Sequence, residues 1–275
     1  MKRVSKTETA PPQSPAIGES QEPRLDGTIV KVFSVMELLV HAEHPLGVSS
    51  IAQSLGLQKS NVHRLLTTLR ALGYVQQHPD TSRYSLTLKT WEFGMKVASR
   101  NVVKRIALPF LRQLHQQSGE SAHLSVLVGT DMLYLEALTG PYPLRATTPA
   151  GARVPAVFPA SGRVLLAYRD DAAELLDELA RNHLLAAKLD MTQVMSELAL
   201  IRQRGYAISL SGWRNNVNSV SAAILNASGQ PVAAVGVSGP SERLNQDRLE
   251  ELAPAVLNVA AEIGEALGSA SSSEA

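Results

Sequence analysis

The sequence predicts an α+β protein with two folded domains: an N-terminal winged helix-turn-helix, then a linker helix, then an antiparallel sheet covered by helices. Three observations indicate this. The first domain shows three apolar repeats at helical spacing followed by a short hairpin. The later segments alternate apolar and polar residues between turn residues, which is typical of paired strands. With 275 residues, the chain also has room for one small and one medium domain.

Composition narrows the class of protein. The net charge is +1, so affinity for a polyanion would have to come from local charge. Because the chain has no cysteine, it can form no disulfide, thiolate metal site or thiol nucleophile, which agrees with a reducing compartment. No apolar run approaches the roughly 18 residues of a spanning helix, and the basic N-terminus lacks the apolar core of a secretory signal. We therefore expect a cytoplasmic protein with no membrane partner.

Changes in composition mark five segments. Residues 1–24 are polar and proline-rich and are predicted to form a disordered arm, and residues 269–275 a disordered tail. Between them we expect the winged helix-turn-helix domain at 25–88, the linker helix at 89–116 and the second domain at 117–268.

The elements of the first domain follow from spacing. Apolar positions from Ile29 to Val40 predict the first helix. A short second helix is expected after Ser49 or Ser50, since Ser50 and Gln53 have the spacing of a capping box. The third helix is predicted to bury one face and to stop at Gly73; that face contains Val62, Leu65, Leu66, Leu69 and Leu72.

The remaining elements are predicted in the same way. The helical pattern at 88–115 is expected to break near Pro109. Strands are predicted at 74–78 and 83–86, at 122–128 and 132–137, and at 206–209, 220–225 and 232–238. Further helices are predicted to open at Ser161-Gly162 and to cover 171–179, 192–204 and 246–267.

The third helix presents groups suited to DNA. Ser60, Arg64 and Thr67 point directly away from the apolar face, and Asn61, His63 and Thr68 flank them. Arginine can pair with guanine and asparagine with adenine, while Lys59 at the helix start suits a phosphate. Residues 55–90 carry five Lys or Arg against one acid. We predict double-stranded DNA as a partner; the alternative is a polar face that only meets water. Arg83 in the hairpin either reaches DNA or is a solvated charge.

These residues resemble the winged helix-turn-helix of IclR-type bacterial transcriptional regulators. The matching segments read GLQKSNVHRLLTTLRALGYV at 56–75 and RYSL at 83–86. The similarity continues through SGRVLLA at 161–167, RGYA at 204–207 and GQPVAAVGVSGP at 229–240. The resemblance implies a DNA-binding domain, a linker helix and a GAF-like effector-binding domain. It also implies dimers or dimers of dimers bound to a palindromic promoter site.

The resemblance also places an effector pocket between the loop before the Ser161 helix and the ends of the C-terminal strands. The positions that match are Ala160, Ser161, Ser209, Val217, Ser219, Gly236 and Ser238, with Leu144 and Val154 as candidate apolar walls. The amides at a helix start suit a carboxylate, and serine hydroxyls add neutral hydrogen bonds, so we expect a small organic-acid effector. Alternatively, these serines cap helices and strand ends. His123, on a predicted strand, is expected to hydrogen-bond in the core or the pocket.

One segment departs from the family pattern. Relatives usually carry acidic residues after the RGYA strand, whereas residues 209–219 here read SLSGWRNNVNS, without an acid. We therefore predict an anionic ligand that pairs with Arg214 or Arg145 and stacks on Trp213. The alternative is that Trp213 and Arg214 face solvent or a subunit interface.

The sequence contains no familiar catalytic motif. Paired carboxylates, a nucleophile elbow, a Walker loop and metal-spaced histidines are absent, so we predict neither an enzyme nor a cofactor or metal. Two other classes stay open: a winged helix used for protein contacts, and a DNA-tethered enzyme acting on a small carboxylate. The sequence does not distinguish a repressor from an activator.

Overall fold

The computed structural model describes residues 25–184, 186 and 189–273, with side chains up to residue 270. The predicted arm at 1–24 lies outside the described residues. The chain divides into two compact units, with the boundary between Phe93 and Gly94.

The first unit is the predicted winged helix-turn-helix. Its elements are α1 (Gly27–His41), α2 (Val48–Leu55), α3 (Lys59–Ala71), β1 (Val75–Gln77) and β2 (Tyr84–Leu86). The two strands are antiparallel, and an isolated bridge between Leu46 and Tyr84 extends the hairpin. The core combines the apolar faces of the three helices with Val75 and Tyr84 of the wing.

The start of α2 differs from the prediction. The helix begins at Val48 with Gly47 as its N-cap, and no side chain caps it. The predicted capping box of Ser50 and Gln53 is therefore wrong. Both Ser49 and Ser50 already lie in the first helical turn, where neither can occupy the extended cap position that this motif requires.

The predicted linker helix consists of two helices, α4 (Leu88–Ser99) and α5 (Val102–Ser118). The chain breaks at Arg100–Asn101, where the Asn101 side chain accepts a 2.8 Å hydrogen bond from the Lys104 amide and caps α5. The break predicted near Pro109 is wrong, because Pro109 lies inside α5. Burial of Ala107, Leu111 and Leu114 holds α5 together around the proline, which removes only one backbone donor.

The second unit contains a six-stranded antiparallel sheet in the order β5-β4-β3-β8-β7-β6. Its strands are β3 (Ser121–Val128), β4 (Asp131–Leu138), β5 (Arg153–Pro155), β6 (Tyr206–Leu210), β7 (Val217–Leu225) and β8 (Pro231–Pro240). The sequence predicts only a proline-rich loop at 141–159 and therefore misses β5, a three-residue edge strand within it. The antiparallel sheet itself is confirmed.

Helices cover both faces of this sheet. On one face lie α6 (Ala160–Ala167), α7 (Ala172–Asn182) and α8 (Met191–Arg204), which pack on residues such as Met132 and Ala207. On the other lie α5 and α9 (Gln246–Ser273), which pack on residues such as Leu124, Val220 and Val235. The side chains of each strand alternate between these two cores, as the pleat requires.

The C-terminal helix is longer than predicted. Residues 269–273 were expected in a disordered tail, but α9 continues to Ser273. Alanine is a strong helix former, and the Ser269 hydroxyl donates a 3.0 Å hydrogen bond to the Glu265 carbonyl one turn earlier. Residues 274 and 275 lie outside the described part. Within that part, no helix combines the length and apolar character that crossing a bilayer requires.

Candidate functional site

The outer face of α3 presents the predicted DNA-contacting side chains together. Exposed side chains on it are Lys59, Ser60, His63, Arg64, Thr67 and Thr68, with Asn61 half-buried. The Arg64 guanidinium donates to the Asn61 amide oxygen at 3.4 Å. The hydroxyls of Thr67 and Thr68 donate to the carbonyls four residues earlier, at 2.9 and 3.1 Å. The threonines therefore present acceptor lone pairs outward, while Arg64 remains the main donor of this face.

The wing is fixed to α3 through polar contacts. Arg70 donates to the Gln77 side chain at 2.8 Å, and Gln77 donates to the Ser82 carbonyl at 3.3 Å. Arg83 follows that turn and is exposed. Lys89 stabilises the end of α3, because its ammonium donates to the Leu72 carbonyl at 2.7 Å and lies 4.5 Å from the centre of the Tyr74 ring.

The second unit contains a cavity of about 50 Å³ above the α6 face of the sheet. It is lined by His123, Tyr134, Thr148, Pro159, Ser209, Trp213, Arg214, Val217, Ser219 and Ser238. Among these lining residues Arg214 is the only charged one, provided that His123 is neutral. A largely apolar cavity with a few converging polar groups is the usual form of a small-molecule site.

Six predicted effector-site residues line this cavity, namely Ser209, Trp213, Arg214, Val217, Ser219 and Ser238. Ala160 and Ser161 are fully buried at the start of α6, directly after the lining residue Pro159. Gly236 is buried on β8 opposite His123.

Three other predicted residues do not line the cavity. Val154 belongs to the core under α6, and Leu144 is 64% exposed, so neither is a cavity wall. Arg145 donates to the Tyr142 carbonyl at 3.0 Å, outside the set that lines the cavity. Of the two arginines predicted to meet an anion, Arg214 lines the cavity and Arg145 does not.

Sequence reasoning missed four lining residues or left their place open. Tyr134 and His123 lie on adjacent strands with their rings edge to face, 5.4 Å between centres. Strand alternation places His123 on the face of β3 that also carries Ser125 and Leu127. It likewise places Tyr134 on the face of β4 that carries Met132, so the sequence held a signal for both residues. Thr148 and Pro159 come from the irregular loop before α6, where no periodic signal predicts which side chains turn inward.

Arg214 and Trp213 hold the mouth of the cavity. The Arg214 guanidinium donates to the Thr147 carbonyl at 2.9 Å, which connects the loop after β6 to the loop after β4. The Trp213 ring packs on Phe158 with 5.4 Å between ring centres. The buried Ser209 hydroxyl donates to the Phe158 carbonyl at 2.9 Å and fixes this wall.

The inner end of the cavity is buried and uncharged. Burial lowers the pKa of His123 to about 4, so its imidazole is neutral at pH 7. Burial also raises the pKa of the Tyr134 phenol, against the smaller opposing effects of the Ser161 hydroxyl and the Arg214 charge. The contact between Ser161 and Tyr134 falls short of full hydrogen-bond geometry, since the Ser161 hydroxyl has no partner that meets it.

Two ion pairs stabilise the chain segments around the cavity. Arg163 on α6 donates to both carboxylate oxygens of Glu197 on α8, at 2.7 and 2.9 Å, and to the Val157 carbonyl at 2.8 Å. Arg243 pairs with the buried carboxylate of Glu120 and donates to the Leu144 carbonyl at 2.9 Å. The loop over the cavity is thus fixed on both sides. No group of three or more metal-ligating side chains converges anywhere in the described ranges.

Comparison with known proteins matches both units to family models. Residues 28–79 match the IclR helix-turn-helix domain, and residues 95–265 match the C-terminal domain described as that of the bacterial transcriptional regulator IclR. The chain belongs to the IclR family. The resemblance stated from the sequence is confirmed, and with it a DNA-binding transcriptional regulator whose C-terminal domain takes a small ligand.

IclR relatives match the chain over most of its length. The HTH-type transcriptional regulator KdgR of Dickeya chrysanthemi is 28% identical over 251 residues, covering 90% of this chain and 82% of the relative. The crystal structure of Thermotoga maritima IclR has 27% identity and a TM-score of 0.68, covering 88% of this chain and 98% of that one. An IclR homologue from Microbacterium hydrocarbonoxydans, complexed with 4-hydroxybenzoate, shares the fold at 21% identity and a TM-score of 0.72, covering 88% of this chain and 99% of that one.

Proposed function

We propose that the protein binds a palindromic promoter site as a dimer, and that a small organic acid in the C-terminal cavity changes its affinity for that site. The proposal that the effector is an acid depends on Arg214, a lone cation at the mouth of an otherwise uncharged, buried cavity. A guanidinium in such a place favours a carboxylate, which it can hold through two parallel hydrogen bonds.

In this proposal α3 enters the major groove. Arg64 pairs with a guanine and Asn61 with an adenine, while Lys59 contacts a phosphate beside the helix start. Ser60, His63, Thr67 and Thr68 complete the contacts of the helix, and Arg83 in the wing reaches the DNA backbone or the minor groove. The contact between Arg64 and Asn61 supports this assignment, since it orders both side chains before DNA arrives.

The effector lies in the cavity with its carboxylate at Arg214. Trp213 offers a flat apolar wall, and the hydroxyls of Ser219 and Ser238 offer neutral hydrogen bonds. Ser209 donates its proton to the Phe158 carbonyl and therefore offers the effector only an acceptor. Ala160, Ser161, Val217 and Gly236 shape the site around the helix start and the strand ends. The 4-hydroxybenzoate bound by the Microbacterium homologue is an acid of the expected class, which supports the proposal.

The proposed dimer uses apolar surface on the first unit and on α4. None of the twelve residues of α4 is buried, although Leu88, Trp91 and Val97 are 77%, 62% and 73% exposed. Beside α1 and α3 lies an apolar groove of about 620 Å³, lined among others by Phe33, Val40 and Leu72. Contiguous apolar surface of this kind is rare on monomers, and a second copy of the chain would cover it.

Control of transcription then follows from linkage. The DNA-binding domains of the dimer can take two arrangements. The acid shifts the equilibrium between these arrangements by no more than the difference in its affinity for them. The sign of that difference decides whether the acid releases the promoter or strengthens binding. We propose regulation in the cytoplasm and no catalysis, so an acid that binds is expected to be recovered unchanged after prolonged incubation.

A gel-shift series on the promoter next to the protein's own gene tests DNA recognition. We expect affinity to fall steeply with salt, as phosphate contacts require, and to exceed that for scrambled DNA. Arg64→Ala is expected to weaken promoter binding about 10- to 100-fold while leaving scrambled DNA nearly unaffected. Arg112→Ala, which removes an exposed arginine from α5, is the matched control. Absence of salt-dependent binding would instead favour the protein-interaction module.

A further inference from the structure

Four buried polar atoms on the α6 side of the sheet have no hydrogen-bond partner among the described residues. They are His123 Nδ1, Ser125 Oγ, Ser161 Oγ and Ser221 Oγ. Buried polar groups in native proteins almost always have a partner, so a cluster without any indicates a group that the protein alone does not supply. Of the four residues, His123 is the one that lines the cavity.

The neighbours of His123 hold it in place. On β8, Gly236 stands opposite His123 of β3 and Ser221 of β7. A Cβ at position 236 would lie 2.1 Å from the Ser221 hydroxyl oxygen and 2.9 Å from His123 Cε1. Glycine at 236 therefore allows the imidazole and this hydroxyl to converge on the sheet. The Tyr134 ring packs edge-on against the other side of the imidazole.

His123 also borders a second, smaller cavity. This space of about 10 Å³ shares His123, Thr148 and Ser238 with the main cavity, and Arg214 does not line it. It has room for about one water-sized group. The site therefore has two unlike ends: a cation that is exposed at the mouth, and a buried inner end without charge.

The protonation state of His123 decides what that inner end can bind. Because the imidazole is buried and neutral at pH 7, it offers one donor and one acceptor and no charge. A second carboxylate would lose its hydration there with no cation to compensate. A hydroxyl or a keto oxygen fits both the space and the hydrogen bond.

We propose that His123 is the residue that selects, among the carboxylic acids that the cavity admits, those that also carry a hydroxyl or keto oxygen. The inference rests on the proposed function of the cavity and adds a specificity determinant to it. Arg214 holds the carboxylate of any acid that enters. His123 distinguishes an oxygenated acid from its unsubstituted parent.

Calorimetric titration of the full chain with two series of acids tests the inference. The series are benzoate with its 3- and 4-hydroxy derivatives, and propanoate with 2-hydroxypropanoate and pyruvate. In at least one series we expect an oxygenated member to bind about tenfold or more tightly than its parent, the effect of one satisfied buried hydrogen bond. In His123→Leu that ratio is expected to fall to about twofold or less, while binding of the parent changes little.

Two further variants complete the experiment. His123→Asn keeps an amide donor and acceptor and is expected to retain part of the preference, and it serves in place of His123→Leu if that variant melts early. His183→Leu, in the same unit but at the end of α7, is expected to leave every affinity unchanged.

The outcomes separate the two proposals. If parent acids bind in an Arg214-dependent way and the added oxygen gives no advantage, or the advantage survives in His123→Leu and His123→Asn, the role of His123 is overturned and the acid site stands. If no acid of either series binds at millimolar concentration, the acid site and the role of His123 are both overturned.

Discussion

At the residue scale, Gly162 shows how closely the start of α6 approaches the chain before it. A Cβ at this position would lie 1.9 Å from the Ala156 carbonyl oxygen and 2.6 Å from its carbon, both of them backbone atoms. This approach places Ser161 over the sheet and directs the preceding loop, with Pro159, into the cavity wall. A side chain at 162 would therefore displace the site itself.

Gly162→Ala is expected to destabilise the second unit by about 1–3 kcal/mol, the usual effect of overpacking, because neither the helix nor residue 156 can move freely. Gly94→Ala is the matched control, since a Cβ at 94 in α4 meets nothing within 4 Å. Urea unfolding of both variants measures the difference. Equal stabilities would show that the loop before α6 yields easily.

His123 predicts a pH dependence. Its pKa is about 4 in the folded protein against an ordinary 6.5, so below pH 6.5 the unfolded chain binds more protons and folding is progressively weakened. The stability of wild type relative to His123→Asn is expected to fall by roughly 3 kcal/mol between pH 6.5 and 4 and to be flat above pH 7. Chemical unfolding at several pH values measures this. A difference that does not vary with pH would mean that His123 is solvated.

At the element scale, the break between α4 and α5 depends on one side chain. Asn101 accepts a hydrogen bond from the Lys104 amide, and only Arg100 and Asn101 lie between the two helices. Asn101→Ala is expected to lower stability by about 1 kcal/mol, the usual effect of losing an N-cap. Asn258→Ala on the exposed face of α9 is the control, with an expected change within about 0.5 kcal/mol. Equal effects in thermal melts would mean that packing alone ends α4.

Sequence patterns predict some of the helices and strands and miss others. The periodicity of α3 predicted that helix, because one of its faces is buried. Apolar runs bounded by turn residues predicted β7 and β8, which lie between two layers of helices. The sequence predicts a break near Pro109, but burial of Leu111 and Leu114 keeps α5 intact. The edge strand β5 depends on pairing with β4 across an irregular loop, which leaves no local signal.

In the candidate site, too, residues with a local sequence signal were predicted, and residues placed by long-range contacts were not. The strand-end residues Ser209, Ser219 and Ser238 could be matched to a family pattern and do line the cavity. Thr148 lines it because the loop is held by contacts such as that between Arg214 and the Thr147 carbonyl. Such contacts join residues 67 positions apart, so spacing along the chain does not predict them.

At the scale of the whole molecule, the exposed apolar surface of α4 predicts an assembly of copies. Trp91→Glu is expected to shift the protein toward smaller species in light scattering and to weaken promoter binding, because one half-site gives little affinity. Lys96→Glu reverses an exposed charge on the same helix and is expected to leave the assembly intact. If the assembly formed by the Trp91→Glu variant has the same mass as that of wild type, the interface between copies does not include Trp91.

Acid binding in the cavity and DNA binding by α3 are proposed to be coupled. Linkage requires the factor by which an acid changes promoter affinity to equal the factor by which promoter DNA changes affinity for that acid. The most direct test measures both affinities in wild type and in Arg214→Ala, with the tightest-binding acid of the two series. We expect equal factors of about 5- to 150-fold in wild type and no coupling in Arg214→Ala. Acid binding that leaves promoter affinity unchanged in wild type would contradict the account.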